Sequence, residues 1–310
     1  MNYIVLDLEW NQSCRQEEYN PKVPFEIIEI GAVKLNEDMV MIDEFSALVK
    51  PSIYKTMHYM TGKLVHLKMQ ELKNEQPFEE VMAKFEDWCS GEPVMFCTWG
   101  PADLLELQRN MNYYDLPPFA DGPIAFYDVQ KLYAIAHGNR KERLGLETAV
   151  DRMGIKKDIP FHRAFSDAYY TAEILIRLKD PKLLDYISYD TYNIPIDKEH
   201  EVHRIFQDYD KHITRGFTTK EAMLADREVR NTGCYLCGRR SSREVKLFNP
   251  TGRFFLAVSR CDKHGFIKTK IRIRKADNGL YYAIKTQKQI TASEANAIKK
   301  RFNKAKEAES

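Results

Sequence analysis

The sequence opens with an apolar segment that carries two carboxylates, and this combination limits where the segment can lie in a fold. Residues 3–8 have the apolar character of a short buried strand, with Asp7 and Glu9 two positions apart at its end. Because side chains alternate along a strand, both carboxylates share one face. Burying such a pair is unfavourable unless a cation offsets the charge. The segment is compatible with a metal site in a sheet, but on its own such a pair is more often an ordinary acidic pair at a strand end.

Asp103 lies where a strand is expected to turn into a helix. It comes four residues after Trp99, and Gly100 and Pro101 intervene. Ligand sites of α/β sheets gather at such turns. An aspartate at this position is also a normal helix N-cap, so Asp103 alone does not distinguish a ligand from a capping residue.

His162 and Asp167 flank a third turn. The Asp-Ile-Pro sequence at 158–160 interrupts the chain before His162, and a helix is predicted to start after it. This arrangement leaves His162 on a loop and Asp167 in the first helical turn. A loop histidine can approach and leave a reacting water, whereas a helical aspartate is held rigidly. In isolation, such a pair is more often structural than catalytic.

Over the first 180 residues, the hydrophobic pattern alternates between the period of a strand and that of a helix. Three strand-like segments come first, and helices and strands alternate after them. This order predicts an α/β domain with a mixed central sheet flanked by helices. The predicted strands are 3–8, 25–35, 41–50 and 94–99, residues 126–128 are a strand or a helix edge, and the predicted helices are 78–89, 104–110, 144–153 and 166–179.

Together, the carboxylates and the histidine suit hydrolysis of a phosphodiester. Hard divalent ions such as Mg²⁺ or Mn²⁺ prefer carboxylate, water and phosphate oxygens. Two such ions can activate the attacking water and stabilise the leaving oxygen. A histidine of near-neutral pKa can then take the proton. The chain provides residues for each of these roles.

The order Asp7-x-Glu9, Asp103 and His162-x4-Asp167 resembles the DEDDh branch of the DEDD superfamily of 3′–5′ exonucleases. That branch includes RNase T, polymerase proofreading subunits and Eri-like and KapD-like RNA exonucleases. The resemblance covers about residues 1–180. Residues 26–32 are similar to the second strand of the family, Met60-Thr61-Gly62 to its substrate-contacting loop, and Trp99-Gly100 to the Eri/KapD-like subgroup.

This resemblance implies an RNase H-like fold that binds two Mg²⁺ or Mn²⁺ ions. The implied metal ligands are Asp7, Glu9, Asp103 and Asp167, with His162 as the general base. Residues near Met60 and Thr61 would seat the 3′-terminal nucleotide, and Trp99 is a further predicted substrate contact. The chain departs from the family at Trp10, where Thr or Ala is common. A tryptophan there can stack on the terminal base or pack in the core.

The charge of the chain changes sign along its length. Residues 1–214 hold 24 Lys and Arg against 36 Asp and Glu, whereas residues 215–310 hold 23 against 9. This split indicates two modules, of which the second faces an anionic partner. We predict an exonuclease domain over 1–180, a helical connector over 181–228 with an amphipathic helix at 201–213, and a basic zinc-ribbon-like domain over 229–310. His200 and His203 have no third ligand at suitable spacing, so a solvated helix face is favoured over a metal site.

Two pairs of potential metal ligands stand in the basic region. Cys234 and Cys237 form the first pair, and Cys261 and His264 form the second. Each pair has a two-residue spacing and is followed by glycine, which fits a tetrahedral Cys₃His zinc site. Four protein ligands leave no open position, so this zinc is predicted to be structural.

The basic region also predicts a nucleic-acid-binding strand. Cationic and mostly apolar residues alternate from 267 to 274, which on a strand gives one cationic and one apolar face. Such a face, with aromatic residues nearby, fits phosphate-backbone binding and base stacking. The cationic residues are Lys268, Lys270, Arg272 and Arg274, and Arg239 and Arg240 are among those that add to the charge. Asn278-Gly279 predicts a type I′ hairpin turn, and Thr291 with Glu294 a capping box before a helix at 295–307.

Nothing in the sequence indicates export or a membrane. The N-terminal segment lacks the features of a signal peptide, and no apolar run approaches the roughly 20 residues that span a bilayer. Six cysteines do not form a disulfide framework. We therefore expect a cytoplasmic protein that has no membrane partner.

The resulting prediction is a metal-dependent 3′–5′ exonuclease that releases nucleoside 5′-monophosphates from single-stranded RNA or DNA. A non-catalytic nucleic-acid-binding or ribosome-binding adaptor on a nuclease fold is the alternative, and an endonuclease on the same fold is a third possibility. The choice between RNA and DNA depends on contacts to the 2′-hydroxyl, which the sequence does not locate. The sequence does not identify protein partners.

Overall fold

The computed structural model describes residues 1–309, with side chains as far as Glu307. The chain divides into two compact units. The first is Met1–Phe119 together with Ile124–Asp190, and the second is Ala120–Pro123 together with the chain from Thr191 onward. Among the described residues, no helix combines the length and the apolar character that a membrane crossing requires.

The first unit contains six strands and eight helices within the described residues. They are β1 (Asn2–Gln12), β2 (Phe25–Leu35), β3 (Met41–Leu48), α1 (Tyr59–Val65), α2 (Met69–Leu72), α3 (Phe78–Cys89), β4 (Val94–Thr98), α4 (Ala102–Tyr113), β5 (Ile124–Asp128), α5 (Val129–Ala136), α6 (Leu146–Arg152), α7 (Ala164–Arg177), α8 (Pro181–Leu184) and β6 (Ser188–Asp190). A short 3₁₀ turn covers Gln16–Glu18.

The strands of the first unit form one mixed sheet in the order β3-β2-β1-β4-β5-β6. β1 pairs antiparallel with β2 and parallel with β4, and β4 pairs parallel with β5. The predicted α/β class with a mixed sheet is therefore confirmed. β2 and α3 have the predicted bounds. Residues 126–128, for which two interpretations were open, belong to strand β5.

The second unit is built on its own six-stranded sheet. Its elements are β7 (Val202–Ile205), β8 (Asp210–Ile213), α9 (Lys220–Ala225), α10 (Arg227–Arg230), β9 (Ser242–Phe248), β10 (Phe254–Cys261), β11 (Gly265–Lys275), β12 (Tyr281–Ile290) and α11 (Ala292–Glu309). The strand order is β7-β8-β12-β11-β10-β9, and every neighbouring pair is antiparallel. The strand predicted over residues 267–274 is confirmed, because β11 covers these residues.

The predicted amphipathic helix at 201–213 is wrong. This segment forms the hairpin of β7 and β8, closed by a hydrogen bond from the Phe206 amide to the Tyr209 carbonyl (2.8 Å). β8 pairs with β12, so the segment belongs to the second sheet rather than to a helical connector. Asp210 and His212 are buried there, and His212 Nε2 lies 2.7 Å from the Glu201 carboxylate. A helix over these residues would hold Glu201 and His212 too far apart for this contact.

Two local predictions near the C terminus have different outcomes. The capping box is confirmed, because the Glu294 amide donates to Thr291 Oγ1 (3.2 Å) and the Thr291 amide donates to the Glu294 carboxylate (2.9 Å). The type I′ turn is wrong, because Gly279 has a positive φ (85°) but Asn278 does not. The Gly279 amide donates to the Ala276 carbonyl, which fits a longer loop with a single left-handed glycine.

Candidate functional site

Three carboxylates from two elements meet beside the central strand of the first unit. Asp7 and Glu9 lie on one face of β1, and Asp167 lies in the first turn of α7. One oxygen from each residue lies within 4.8 Å of the other two. Two oxygens on opposite sides of an octahedral Mg²⁺ are about 4.2 Å apart, so the spacing suits a shared divalent cation.

Gly31 allows α7 to reach the carboxylates on β1. It lies opposite Asp7 in the β1–β2 ladder. A Cβ atom at this position would lie 2.0 Å from the Phe165 amide nitrogen and 2.1 Å from the Ala164 carbonyl carbon. Only a residue without a side chain leaves room for the first turn of α7 here. Gly31 therefore sets the position of Asp167.

Asp103 lies in the first turn of α4, next to β1. Its side chain is only 6% exposed, and its Oδ1 accepts a hydrogen bond from the amide of Leu8 (3.3 Å). That contact fixes one oxygen of Asp103 against β1. Asp103 does not belong to the group within 4.8 Å, but its charge is the second largest cause of the raised pKa of Asp7, after burial.

The four carboxylates hold protons unusually tightly. Burial is the first cause in every case. It raises the pKa of Glu9 to about 8, of Asp103 to about 7 and of Asp167 to about 6, and it raises the pKa of Asp7 well above its usual range. Repulsion among the carboxylates adds to the shift, with Asp167 acting on the other three. A bound divalent cation would supply the missing positive charge, so these residues fit the ions that the sequence predicts.

His162 lies on the loop immediately before α7. It is exposed and has a left-handed φ of 65°. Its amide donates to Asp167 Oδ1 (3.3 Å). The next residue, Arg163, makes a bidentate ion pair with Glu29 of β2, which is almost fully buried (Arg163 Nε–Oε2 3.0 Å, Nη2–Oε1 2.7 Å). This pair anchors the histidine loop to the sheet.

Sequence reasoning missed the role of Glu29 and Arg163, and also that of Asn11. Asn11 is fully buried in β1, where its Oδ1 accepts from the His58 amide (2.8 Å) and its Nδ2 donates to the Thr56 carbonyl (3.0 Å). These bonds hold the segment before α1 against β1. The signal was present, because Asn11 continues the polar pattern of every second residue that starts at Asp7 and Glu9.

The predicted nucleotide-contacting residues gather at the start of α1. The expected loop at residues 60–62 is helical, and the His58 ring caps it by accepting from the Met60 amide (3.3 Å). Thr61 Oγ1 donates to the Trp10 carbonyl (3.3 Å), while Met60 is exposed. The half-buried Trp10 ring lies 5.6 Å from that of Phe25. Trp10, Met60 and Thr61 are thus brought together.

Trp99 has a different environment. Its indole Nε1 donates to the Leu144 carbonyl (3.1 Å), and its ring makes an edge contact with Tyr133 of α5. The Leu144 carbonyl also accepts from Gln130 (2.8 Å). These bonds tie the end of β4 to the segment before α6, so the observed contacts of Trp99 are internal ones.

The four predicted soft ligands also converge, in the second unit. Cys234 Sγ and Cys261 Sγ lie 3.4 and 3.7 Å from His264 Nδ1, and Cys237 Sγ lies 3.7 Å from Cys261 Sγ. A tetrahedral zinc with the usual bond lengths requires S–S separations of about 3.8 Å and S–N separations of about 3.6 Å. The amides of His264 and Lys263 lower the pKa of Cys261 to about 6, which favours the thiolate that a metal needs. The set fits a zinc ion.

The predicted cationic strand is β11, and its two faces differ as expected. Ile267, Thr269 and Ile271 are buried, whereas Arg272 and Arg274 are exposed. On the cationic face, the Lys270 ammonium lies 4.3 Å from the centre of the Phe254 ring. Lys270 also lines a shallow cleft of about 830 Å³. The cleft is lined by Lys220, Arg253, Phe254, Lys270, Arg272, Arg274, Lys275 and Tyr281, among others.

The mixed sheet of the first unit, its carboxylate cluster and the adjoining loop histidine define a metal-dependent nuclease with an RNase H-like fold. The model of the exonuclease family RNase T matches residues 4–175, which is more than half of the chain. The chain therefore belongs to this family, and it is a 3′–5′ exonuclease of the DEDDh type.

Solved structures agree on the fold. The chain is similar to the nuclease domain of 3′hExo, a DEDDh family member bound to rAMP, with 21% identity and a TM-score of 0.50 over 61% of this chain and 96% of that one. It is also similar to a 3′-exonuclease solved for its 3′-end-specific recognition of a histone mRNA stem-loop, with 18% identity and a TM-score of 0.50 over 63% and 72%. A search of curated proteins finds no match.

Proposed function

We propose that this exonuclease removes nucleotides one at a time from the 3′ end of single-stranded RNA or DNA and releases nucleoside 5′-monophosphates. The observation that carries the proposal is the convergence of Asp7, Glu9 and Asp167 to within 4.8 Å beside the exposed loop of His162. A cytoplasmic location is part of the proposal, since none of the six cysteines forms a disulfide.

Four carboxylates would hold the catalytic ions. Asp7, Glu9 and Asp167 can share a cation, and the buried Asp103 adds a fourth negative charge near Asp7. We propose two Mg²⁺ or Mn²⁺ ions, because four carboxylates outweigh the charge of a single ion. When bound, such ions polarise the scissile phosphate and lower the pKa of the attacking water.

His162 would remove the proton from the attacking water. Its side chain is exposed on a loop, so it can reach a substrate-bound water, and a neutral imidazole is a suitable base near pH 7. Two contacts restrain the loop that carries His162. The His162 amide is bound to Asp167, and Arg163 is bound to the buried Glu29. Glu29 and Arg163 are positioning residues in this proposal.

The 3′-terminal nucleotide would lie against α1 and the end of β1. Met60 offers an exposed apolar surface, and Trp10 a partly exposed ring to which Thr61 is bound through its carbonyl. A base can stack on such a ring whatever its identity, which suits an enzyme that removes successive nucleotides. Trp99 would support this nucleotide-binding surface through its contacts with Leu144 and Tyr133.

The second unit would hold the strand rather than cut it. Lys268, Lys270, Arg272 and Arg274 of β11 supply charge for phosphates. The last three line a cleft with Phe254 and Tyr281, whose rings can stack on unpaired bases. A structural zinc bound by Cys234, Cys237, Cys261 and His264 would stabilise the turns at the ends of this sheet. Both roles are proposed from residue chemistry and spacing.

The test is hydrolysis of matched 5′-labelled single-stranded RNA and DNA in Mg²⁺ or Mn²⁺. We expect a ladder that shortens by one nucleotide at a time, with nucleoside 5′-monophosphates as the small products. His162→Ala and Asp167→Ala should abolish the ladder. His200→Ala is the matched control, because His200 is an exposed histidine of the second unit that pairs with Asp197.

The relative rates on the two substrates would decide between RNA and DNA. Fragments of many lengths appearing from the first time point would show an endonuclease and overturn the proposal. If His162→Ala is as active as the parent, His162 is not the general base.

A further inference from the structure

A second basic cleft lies beside the Cys/His cluster, formed by two segments that are close in sequence. Arg227 and Arg230 stand one turn apart on α10, and Arg239 and Arg240 follow the Cys234–Cys237 turn. All four arginines are exposed, and all line one cleft of about 620 Å³. We refer to it as the arginine cleft.

The backbone that carries these arginines is firmly anchored. Val229 of α10 is fully buried in the cluster that contains Ile271 and Ala283. The Lys285 ammonium donates to the Glu228 carbonyl (2.7 Å), and Gln287 Nε2 donates to the Gly233 carbonyl (2.9 Å). Both bonds come from β12, so the segments on either side of the cleft are fixed to the same strand.

The wall that carries Arg239 and Arg240 is a tight turn. The Gly238 amide donates to the Cys234 carbonyl (2.8 Å), and the Cys234 amide donates to the Arg239 carbonyl (3.3 Å). Gly238 has the left-handed φ (66°) that this turn requires. The two arginines are therefore displayed by a closed loop rather than by a free one.

The charge of the arginine cleft is not neutralised internally. Within the described part of the chain, none of its four guanidinium groups forms an ion pair. The nearby Asp226 is occupied, because one of its oxygens pairs with Arg215 and the other caps α10. Four like charges around one concave surface repel one another, and a bound anion relieves that repulsion.

The lining indicates which anion fits. Guanidinium groups bind phosphate through two parallel hydrogen bonds, which makes arginine well suited to phosphodiesters. As far as the structure describes the cleft, no aromatic side chain lines it, whereas Phe254 and Tyr281 line the cleft by β11. The arginine cleft thus offers contacts to phosphates and none to unpaired bases. It suits nucleic acid whose bases are already paired.

The arginine cleft and the cleft by β11 have no lining residue in common. Nucleic acid held by the residues of one cleft therefore leaves those of the other available. We propose that Arg227, Arg230, Arg239 and Arg240 form a second nucleic-acid site that binds the phosphate backbone of a duplex. This inference rests on the proposed nucleic-acid substrate but not on hydrolysis.

Binding of a fluorescent blunt-ended RNA duplex, and of its DNA counterpart, tests the proposal in the full chain carrying Asp167→Asn, so that the probe stays intact. The variants are Arg227→Gln with Arg230→Gln, and Arg239→Gln with Arg240→Gln. The matched control is Arg243→Gln with Lys246→Gln, which removes two exposed charges from β9 in the same unit. Zinc content and thermal unfolding confirm that each variant is folded.

We expect each arginine pair variant to bind the duplex about tenfold more weakly at physiological salt, and its plot of log affinity against log salt to be shallower by about 2. The control should change affinity less than about threefold, since exposed charges away from a contact act weakly. Duplex binding equal to the parent in both arginine variants would overturn the proposal. Arginine variants that lose binding to anionic vesicles or inorganic polyphosphate but still bind the duplex would also overturn the proposal.

The outcome is separable from that of the nuclease assay. If the parent cleaves no nucleic acid but the arginine variants lose duplex binding, the duplex site stands and the proposed exonuclease substrate falls. If the parent cleaves single strands and all variants bind duplex equally, the proposed exonuclease substrate stands and the duplex site falls.

Discussion

The chain contains two ligand clusters, and they are assembled by opposite means. In the first unit, Asp7, Asp103 and Asp167 come from a strand and two helices that are far apart in sequence. In the second unit, Cys234 with Cys237 and Cys261 with His264 come from two short turns. The first cluster presents hard oxygen atoms beside an exposed histidine loop. The second presents soft donors that complete a tetrahedron among themselves.

The open carboxylate cluster is suited to catalysis, whereas the closed Cys₃His set is suited to stabilising the fold. In the open carboxylate cluster, burial raises the pKa values of all four carboxylates, and repulsion from Asp167 adds to the shift of the other three. Such a cluster leaves ion coordination positions for substrate and water. A closed Cys₃His set has no such position, so its binding energy goes into the local fold. Removing the ion should therefore inactivate the first unit and unfold the second.

The largest effect is expected from Cys261→Ser, which removes one of the four soft ligands. A structural zinc contributes on the order of 10 kcal/mol to folding of a small module, so this variant should lose zinc and the cooperative unfolding of the second unit. Zinc content and calorimetry are the measurements. Cys14→Ser is the control, because Cys14 is exposed and lies in the first unit. Full zinc occupancy in Cys261→Ser would contradict the role of the Cys₃His set as a structural zinc site.

Asp7→Asn should have the next largest effect, on activity rather than folding. It removes a proposed ligand of the shared ion, so hydrolysis of the proposed single-stranded substrate should fall about 10³-fold or more, or about 4 kcal/mol in the barrier. Because it also removes a repelled carboxylate, the melting temperature without Mg²⁺ or Mn²⁺ should be unchanged or higher. Asp38→Asn, an exposed turn residue, is the control. Unfolding of Asp7→Asn would show that the carboxylate supports the fold.

Gly31→Ala should affect both activity and stability. The added Cβ would overlap the Phe165 amide nitrogen, so the first turn of α7 has to move and Asp167 moves with it. We expect about a 10²-fold loss of activity and about 1–3 kcal/mol of destabilisation. Gly145→Ala is a matched control, because nothing lies within 4 Å of its Cβ position. Equal behaviour of the two variants would contradict the close packing.

The smallest predicted effect is a pH dependence of the first unit in zinc-loaded protein free of Mg²⁺ and Mn²⁺. Folding raises the pKa of Glu9 to about 8 and that of Asp167 to about 6, so between pH 5 and 8 the native state holds more protons than the unfolded state. Stability should therefore fall as the pH rises over this range.

Melting temperatures at several pH values measure this slope, and added Mn²⁺ should reduce it by replacing the protons. The slope should also be smaller in Asp7→Asn. A melting temperature that rises from pH 5 to pH 8 without Mn²⁺ would contradict the shared burial of these carboxylates.

Local patterns determined much of this protein from the sequence alone. The apolar period fixed β2 and α3, Thr291 and Glu294 marked the start of α11, and alternation identified the two faces of β11. The soft ligand candidates were also recognisable locally, because they occur in two short pairs. These features depend on neighbours within a few residues, so the sequence contains them directly. The carboxylates and His162 were recognisable only from their combined order along the chain, since each alone also has a structural interpretation.

Tertiary structure decided features that depend on partners distant in the chain. Residues 201–213 form a hairpin because β12 supplies a strand for β8 and because buried polar groups find partners there. The need for glycine at position 31 appears only when α7 lies on β2. The Glu29–Arg163 ion pair joins positions 134 residues apart, and the arginine cleft requires α10 and the Cys234–Cys237 turn to be fixed to one strand. Short polar and apolar runs are compatible with several local structures, and long-range packing selects one of them.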